Sequence, residues 1–201
     1  MSIGDVVTPT ALSKRFDKAL LFARRRHKKQ YRKSTGIPYV SHLLSTAALV
    51  LEAGGDEDQA IAGLLHDSLE DREYTKATFR ELKKTFGKRV AGIVRDCSDA
   101  EPEKGAEKEA WRPRKEKYIA GLEHHSPDSI LVSNADKLHN ARAILADYRI
   151  HGEELWKRFN PDSDQLWYYR CLANTYLRLK SPLAEELNRV VTELEELAVR
   201  S

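Results

Sequence analysis

At 201 residues the chain is long enough to bury one sizeable core, and 41% hydrophobic with 32% charged residues is the composition expected of a soluble globular protein. A net charge of +3 is too small to mark a general polyanion binder, and no apolar run approaches the ~18 residues of a membrane span. Met1-Ser2-Ile3-Gly4-Asp5 lacks the basic flank and apolar stretch of a secretory leader, and Cys97 and Cys171 stand alone, so a cytoplasmic location and no membrane partner are expected.

The pattern is helical nearly throughout. Leu12, Phe16, Ala19, Leu20 and Ala23 recur at three- and four-residue spacing and predict an amphipathic helix over 12–26. Around its end lie Arg24, Arg25, Arg26, Lys28, Lys29, Arg32 and Lys33. This patch reads as a solvated helix end or as an attractor of phosphate. Nucleic acid is not an expected partner, because no recognition module accompanies it. Residues 31–38, with Gly36 and Pro38, predict a turn. A second helix is expected over 39–53, stopped by Gly54-Gly55, and a third over 58–71. A fourth is expected over 75–86, stopped by Gly87, and a fifth over 89–97.

Residues 98–110 are polar and aperiodic and read as a mobile loop. Helices are expected again over 114–124, 127–148 and 164–180. Leu183, Leu187, Val190, Leu194 and Leu197 then form a stripe over 183–199. It would pack on the chain's own core or, as the alternative, form a homodimer seam; about two heptads favour the former. No repeat and no β-rich segment competes. The expected fold is all-α, one helical bundle of about 8–10 helices over 1–201, with its core at 12–180.

Two clusters hold the chemistry. The first is Leu64-Leu65-His66-Asp67-Ser68-Leu69-Glu70-Asp71. On a helix advancing about 100° per residue, His66, Asp67, Glu70 and Asp71 share one side, with Ile61, Leu64, Leu65 and Leu69 opposite. Three carboxylates and an imidazole on one face repel unless something positive lies among them. A divalent metal removes the cost of burying such a set. The second cluster is Asn134-Ala135-Asp136-Lys137-Leu138-His139-Asn140, entered from the apolar run Ile130-Leu131-Val132. Asp136 and Asn140 are one helical turn apart and share a face. His139 is better explained as a hydrogen-bonded structural histidine than as a ligand. His42, delivered by the turn Gly36-Ile37-Pro38-Tyr39-Val40-Ser41, is the remaining ligand candidate. The set His42, His66, Asp67 and Asp136 gives two nitrogens and two oxygens, leaving positions on a six-coordinate ion. His27, His124, His125 and His151 have no patterned acidic neighbours and are read as structural or solvent-facing.

In this order the residues resemble the HD superfamily of metal-dependent phosphohydrolases: a His, a His-Asp doublet, then a distant Asp. Arg32-Lys33-Ser34-Thr35-Gly36-Ile37-Pro38-Tyr39-Val40-Ser41-His42, the His66 to Asp71 stretch and Ala135-Asp136-Lys137-Leu138-His139-Asn140 resemble the hydrolase domain of RelA/SpoT-type proteins. A chain of this length has no room for a synthetase domain, so it most resembles a stand-alone small alarmone hydrolase. The resemblance implies hydrolysis of the 3′-diphosphate of guanosine tetra- or pentaphosphate, with one divalent ion, usually Mn²⁺, on His42, His66, Asp67 and Asp136. It implies that Glu70 and Asp71 orient water and move protons. Arg32 and Lys33 would meet phosphates, and Asn140 and Tyr168 the nucleotide, with Arg114 and Lys115 as further phosphate contacts. Thr35 lengthens the basic turn by one residue, and Ser68-Leu69 and Arg72 also depart from the family pattern. Another nucleotide substrate (an adenosine alarmone, a deoxynucleotide or NADPH) and a non-catalytic alarmone sensor are the alternatives.

Overall fold

The computed structural model of the chain describes residues 9–69, 79–98 and 109–199. Among them, in order, are the α-helices α1 Lys14–Arg26, α2 Val40–Glu52, α3 Glu57–Leu65, α4 Phe79–Phe86, α5 Lys88–Cys97, α6 Trp111–Gly121, α7 Pro127–His151, α8 Gln165–Arg178 and α9 Ala184–Val199. Short 3-10 segments, Leu122–His124 and Gly152–Arg158, follow α6 and α7. A lone antiparallel bridge pairs Tyr31 with Pro38, and no other strand pairing occurs among the described residues. The fold is all-α, as expected, and no described helix is long and apolar enough to cross a membrane.

Local chemistry sets the helix starts. Ser13 caps α1 by accepting from the Arg15 amide, and Arg24, Arg25 and Arg26 sit at the end where cations are favoured. Asp56 and Gln59 close a reciprocal capping box on α3. Ser126 caps α7, with Pro127 in the first turn where its missing N–H costs nothing. Asp164 accepts from the Trp167 amide to start α8. Gly87, which precedes α5, sits at φ 98, ψ 168, a region open essentially to glycine alone.

Helix α7 is the axis of the bundle. It packs against α2, α3, α5, α8 and α9, and Val132, Ala135, Leu138 and Ala141 along it are fully buried. Around them lie Leu43 and Val50 of α2, Ile61, Leu64 and Leu65 of α3, Val94 of α5, Leu172 and Tyr176 of α8, and Leu187 and Leu194 of α9. The C-terminal stripe therefore covers the chain's own core, since α9 packs on α7 and α8. Between α1 and α2 the chain makes a closed turn: Arg32 N–H donates to Ile37 O (2.8 Å) and Tyr39 N–H to Gln30 O (2.9 Å). Thr35 braces it, its hydroxyl donating to Arg32 O and accepting from the Ile37 amide.

Several boundaries differ from the periodicity, and three of them have a bearing on the site or the core. Helix α6 starts at Trp111 rather than 114, because Pro113 falls in the first turn, where amides have no intrahelical acceptor to lose. Helix α7 runs on to His151 rather than 148. The third helix ends at Leu65, and residues 66–69 are turns. There the Ser68 amide reaches back three residues to Leu65 O (2.8 Å), and the His66 ring takes Gly63 O (2.9 Å), the carbonyl that a continuing helix offers to the Asp67 amide. The single helical face drawn through His66, Asp67, Glu70 and Asp71 is thus corrected: the doublet lies on a turn just past α3. Glu70, Asp71, the 75–78 start of the fourth helix and most of the 98–110 loop lie outside the described residues.

Candidate metal centre

Three helices deliver the four side chains. The turn 31–38 sets Tyr39 ahead of α2, which carries His42; the turn closing α3 presents His66 and Asp67; and Asp136 stands mid-way along α7. Helices α2 and α3 approach unusually closely because residue 63 has no side chain: a Cβ there would stand 3.1 Å from the Ala47 Cα. All four residues are buried, His42 and His66 to 1% exposure.

The reactive atoms converge. The Nε2 atoms of His42 and His66 are 3.2 Å apart. His66 Nε2 is 3.2 Å from Asp67 Oδ2 and 3.6 Å from Asp136 Oδ1. His42 Nε2 is 3.1 Å from Asp136 Oδ1 and 3.9 Å from Asp67 Oδ2. Each side chain is tethered from behind. His66 Nδ1 faces Gly63 O at 2.9 Å, and His42 Nδ1 faces His139 Nδ1 at 2.8 Å. The Tyr39 hydroxyl donates to Asp67 Oδ2. Asp136 Oδ1 accepts from Asn140 Nδ2 (2.7 Å), and its Oδ2 from Lys137 Nζ (2.6 Å).

Electrostatics show what this pocket would accept. Burial pushes the Asp67 carboxyl up, yet the His66 charge and hydrogen bond outweigh it and hold Asp67 below the usual carboxylate range. Burial is likewise overcome at Asp136, held well below that range by Lys137 and then His66. Both carboxylates are therefore ionised. Burial keeps His42 below its ordinary value despite Asp136. At His66 the same penalty is reversed by Asp67 and Asp136, which draw the ring well above it. Two buried anions thus pull a proton onto a buried imidazole, and a divalent cation would meet the same demand with better-matched donors. The donor set fits a metal: His42, His66 and Asp67 place ligand atoms within 4.8 Å of one another, and Asp136 Oδ1 adjoins both imidazoles.

The other candidate residues divide. Arg32 Nη1 donates to Asn140 Oδ1 at 2.9 Å, so the basic turn is tied through Asn140 to Asp136. Lys33 turns elsewhere, its Nζ 6.0 Å from the Phe159 ring centre. Lys115 sits 5.1 Å from the Tyr168 ring and 5.9 Å from the Tyr118 ring. Lys137 lies over that same Tyr118 ring at 5.0 Å, which links Lys115 and Tyr168 to the ammonium on Asp136. Tyr168 itself is buried, packed edge-on against Trp111. Arg114 turns back, donating to Glu109 O at 3.0 Å. Sequence reasoning gave no site role to Tyr39, Lys137 or Gly63. Lys137 beside Asp136 was the available signal; Tyr39 and Gly63 act through contacts between helices that spacing does not encode.

Residues 19–160 match the profile of the HD domain family. The chain is 34% identical over 187 residues to the bifunctional (p)ppGpp synthase/hydrolase SpoT of Escherichia coli (strain K12), covering 92% of this chain and 24% of that protein. It thus spans about a quarter of the first curated relatives it matches. It is 32% identical over 165 residues to the Drosophila melanogaster guanosine-3′,5′-bis(diphosphate) 3′-pyrophosphohydrolase MESH1, covering 81% of this chain and 85% of that one. The fold matches a solved metazoan ortholog of SpoT that hydrolyses ppGpp, with TM-score 0.73 and 27% identity over 92% of this chain and 97% of the other.

Proposed function

The chain belongs to the HD domain family, and from that premise we propose that it is a metal-dependent hydrolase that removes the 3′-diphosphate of guanosine tetra- or pentaphosphate, releasing GDP or GTP and pyrophosphate. The observation that carries this is the meeting of two imidazole Nε2 atoms and two ionised carboxylates from three helices, with Arg32 tied to the same constellation. His42, His66, Asp67 and Asp136 would hold one divalent ion, for which Mn²⁺ is proposed. When bound, such an ion supplies Lewis-acid activation of water and offsets charge at the attacked phosphorus.

The chain's own groups supply orientation. Gly63, Tyr39, Lys137 and Asn140 hold the ligand atoms from behind, so that binding need not organise them. Asn140 uses its amide nitrogen on Asp136 and its oxygen on Arg32, which aligns the guanidinium beside the site. There Arg32 suits a diphosphate, being a fixed fork of donors without an acceptor. Lys115 and Tyr168 lie one aromatic ring away; Tyr168 is proposed to meet the nucleotide, and Lys115, Lys33 and Arg114 its phosphates. Glu70 and Asp71, three and four residues past Asp67, are proposed to orient the attacking water and to take and return its proton.

The test is metal analysis of the purified protein combined with pyrophosphate release from guanosine tetraphosphate, with the adenosine counterpart alongside. Mn²⁺-dependent release from the guanosine nucleotide is expected. No release from it, or undiminished release by a metal-free Asp67→Ala protein, overturns the proposal.

A further inference from the structure

We infer that His139 is a positioning residue that fixes which nitrogen of His42 carries its proton, and through it the readiness of His42 to take a metal. The inference deepens the metal-centre reading and rests on it. His42 Nδ1 and His139 Nδ1 face each other at 2.8 Å, the rings 4.9 Å apart between centres and inclined by 37°. At that distance one nitrogen must donate and the other accept: two lone pairs would repel and two protons would collide.

The other end of the His42 ring decides which. Its Nε2 is directed into the donor set, 3.2 Å from His66 Nε2 and 3.1 Å from Asp136 Oδ1. A nitrogen that gives its lone pair to a cation cannot also carry a proton, so the single proton of neutral His42 belongs on Nδ1. His139 Nδ1 is then the acceptor and carries its own proton on Nε2.

His66 shows the contrast. Its Nδ1 faces the Gly63 carbonyl at 2.9 Å, a partner that accepts and never donates. That bond fixes a proton on His66 Nδ1 whether or not Nε2 carries another. His42 has instead a partner that can play either part. With His139 donating, His42 would carry its proton on Nε2 and hydrogen-bond Asp136 Oδ1; with His139 accepting, Nε2 is bare. The contact between the two Nδ1 atoms is therefore matched in both arrangements, and loading a cation selects the second. A carbonyl in the place of His139 would permit only that one, and an apolar side chain would leave a buried N–H without an acceptor.

The experiment uses the full chain with Zn²⁺, which is diamagnetic, as the probe, and compares the wild type with His139→Gln and His139→Leu. Long-range ¹H–¹⁵N spectra of the imidazoles report the tautomer of each histidine, and calorimetric titration reports Zn²⁺ affinity. The expected result is His42 protonated on Nδ1 in the loaded wild type. His139→Leu should bind Zn²⁺ about 10- to 100-fold more weakly. His139→Gln, which restores an accepting oxygen, should recover most of that loss. The His66 resonance, unchanged across the three, serves as the check that the fold is retained. Loaded wild type with His42 protonated on Nε2, or His139→Leu with undiminished affinity, overturns the role of His139 alone. A wild type that takes up no Zn²⁺ overturns the metal-centre reading and this inference together.

Discussion

Gly63 lies so close to Ala47 that a Cβ added to it would stand 3.1 Å from the Ala47 Cα and 3.3 Å from its backbone nitrogen. Those atoms are backbone and cannot swing aside, so Gly63→Ala must part α2 from α3 by a few tenths of an ångström. His42 rides on α2, and His66, hydrogen-bonded to Gly63 O, closes α3. The parting widens the 3.2 Å gap between their Nε2 atoms. The gain in helix propensity, about 1 kcal/mol, offsets part of an overpacking cost of about 1–3 kcal/mol. The expected outcome is a modest fall in stability by denaturant titration, with a clear fall in divalent-metal affinity. Unchanged affinity would show that the helix spacing does not tune the site.

What the sequence reveals and what it withholds follow a physical line. Helices announced by periodicity and caps are found where expected: α2 stops before Gly54-Gly55, α8 begins after Asp164 and α9 buries Leu187, Val190 and Leu194. The meeting of His42, the doublet and Asp136 was legible because residue chemistry and family pattern name the same atoms. The end of α3 was not. Periodicity continues through His66, but the ring's own bond to Gly63 O competes with the helix, and no window of hydrophobicity registers a side chain taking a backbone carbonyl. Arg32 and Asn140 were each expected to face the substrate; that they face each other depends on how the 31–38 turn folds over α7.

The metal-free protein should lose stability as pH rises from mildly acidic to alkaline. Burial opposes a charge on His66, but Asp67 and Asp136 more than compensate and raise its pKa well above 6.5. A raised folded-state value contributes stability that is fully present below the unfolded value, near 6.5, and is lost as pH climbs through the folded value. Metal binding runs the other way, since the cation must displace that proton and is favoured as pH rises. Thermal unfolding across this window, with chelator and with saturating Mn²⁺, should therefore give two curves that diverge toward alkaline pH. At metal 100-fold above its dissociation constant the gap is about 2.7 kcal/mol. Parallel curves would mean that no proton leaves His66 on loading.

Tyr39→Phe removes one oxygen and leaves the ring's packing beside His27 and His42 in place. What it takes from the site is the hydroxyl on Asp67 Oδ2. Loss of such an outer partner should weaken metal binding or slow turnover about 10- to 100-fold, while far-ultraviolet circular dichroism stays unchanged. Wild-type affinity and rate together in the Phe variant would reduce the hydroxyl to a bystander.

Arg32 and Asn140 should separate by which constant they change. Arg32→Ala removes the guanidinium proposed to meet phosphate, and charge-assisted hydrogen bonds of about 1.5–3 kcal/mol correspond to roughly a 10- to 100-fold rise in KM with metal affinity preserved. Asn140→Leu releases Arg32 and also strips the donor from Asp136 Oδ1, so KM should rise and metal affinity should fall in the same protein. Steady-state kinetics paired with calorimetry distinguish the two. Equal metal loss in both variants would dissolve the proposed division of labour.

Asp67 and Glu70 stand three residues apart, yet the proposed chemistry gives them different failures. Asp67 offers Oδ2 to the two imidazoles, so Asp67→Ala leaves His66 without its nearer carboxylate and the donor set one oxygen short. Metal content and turnover should vanish together. Glu70 is proposed to handle the proton of the attacking water, a contribution typically of 10²- to 10⁴-fold. Glu70→Ala should therefore keep its metal, measured by elemental analysis, while pyrophosphate release falls by that factor at unchanged KM. A Glu70→Ala protein that loses its metal would move this carboxylate from proton transfer into the ligand set, and the water would then have to be oriented by Asp71 alone.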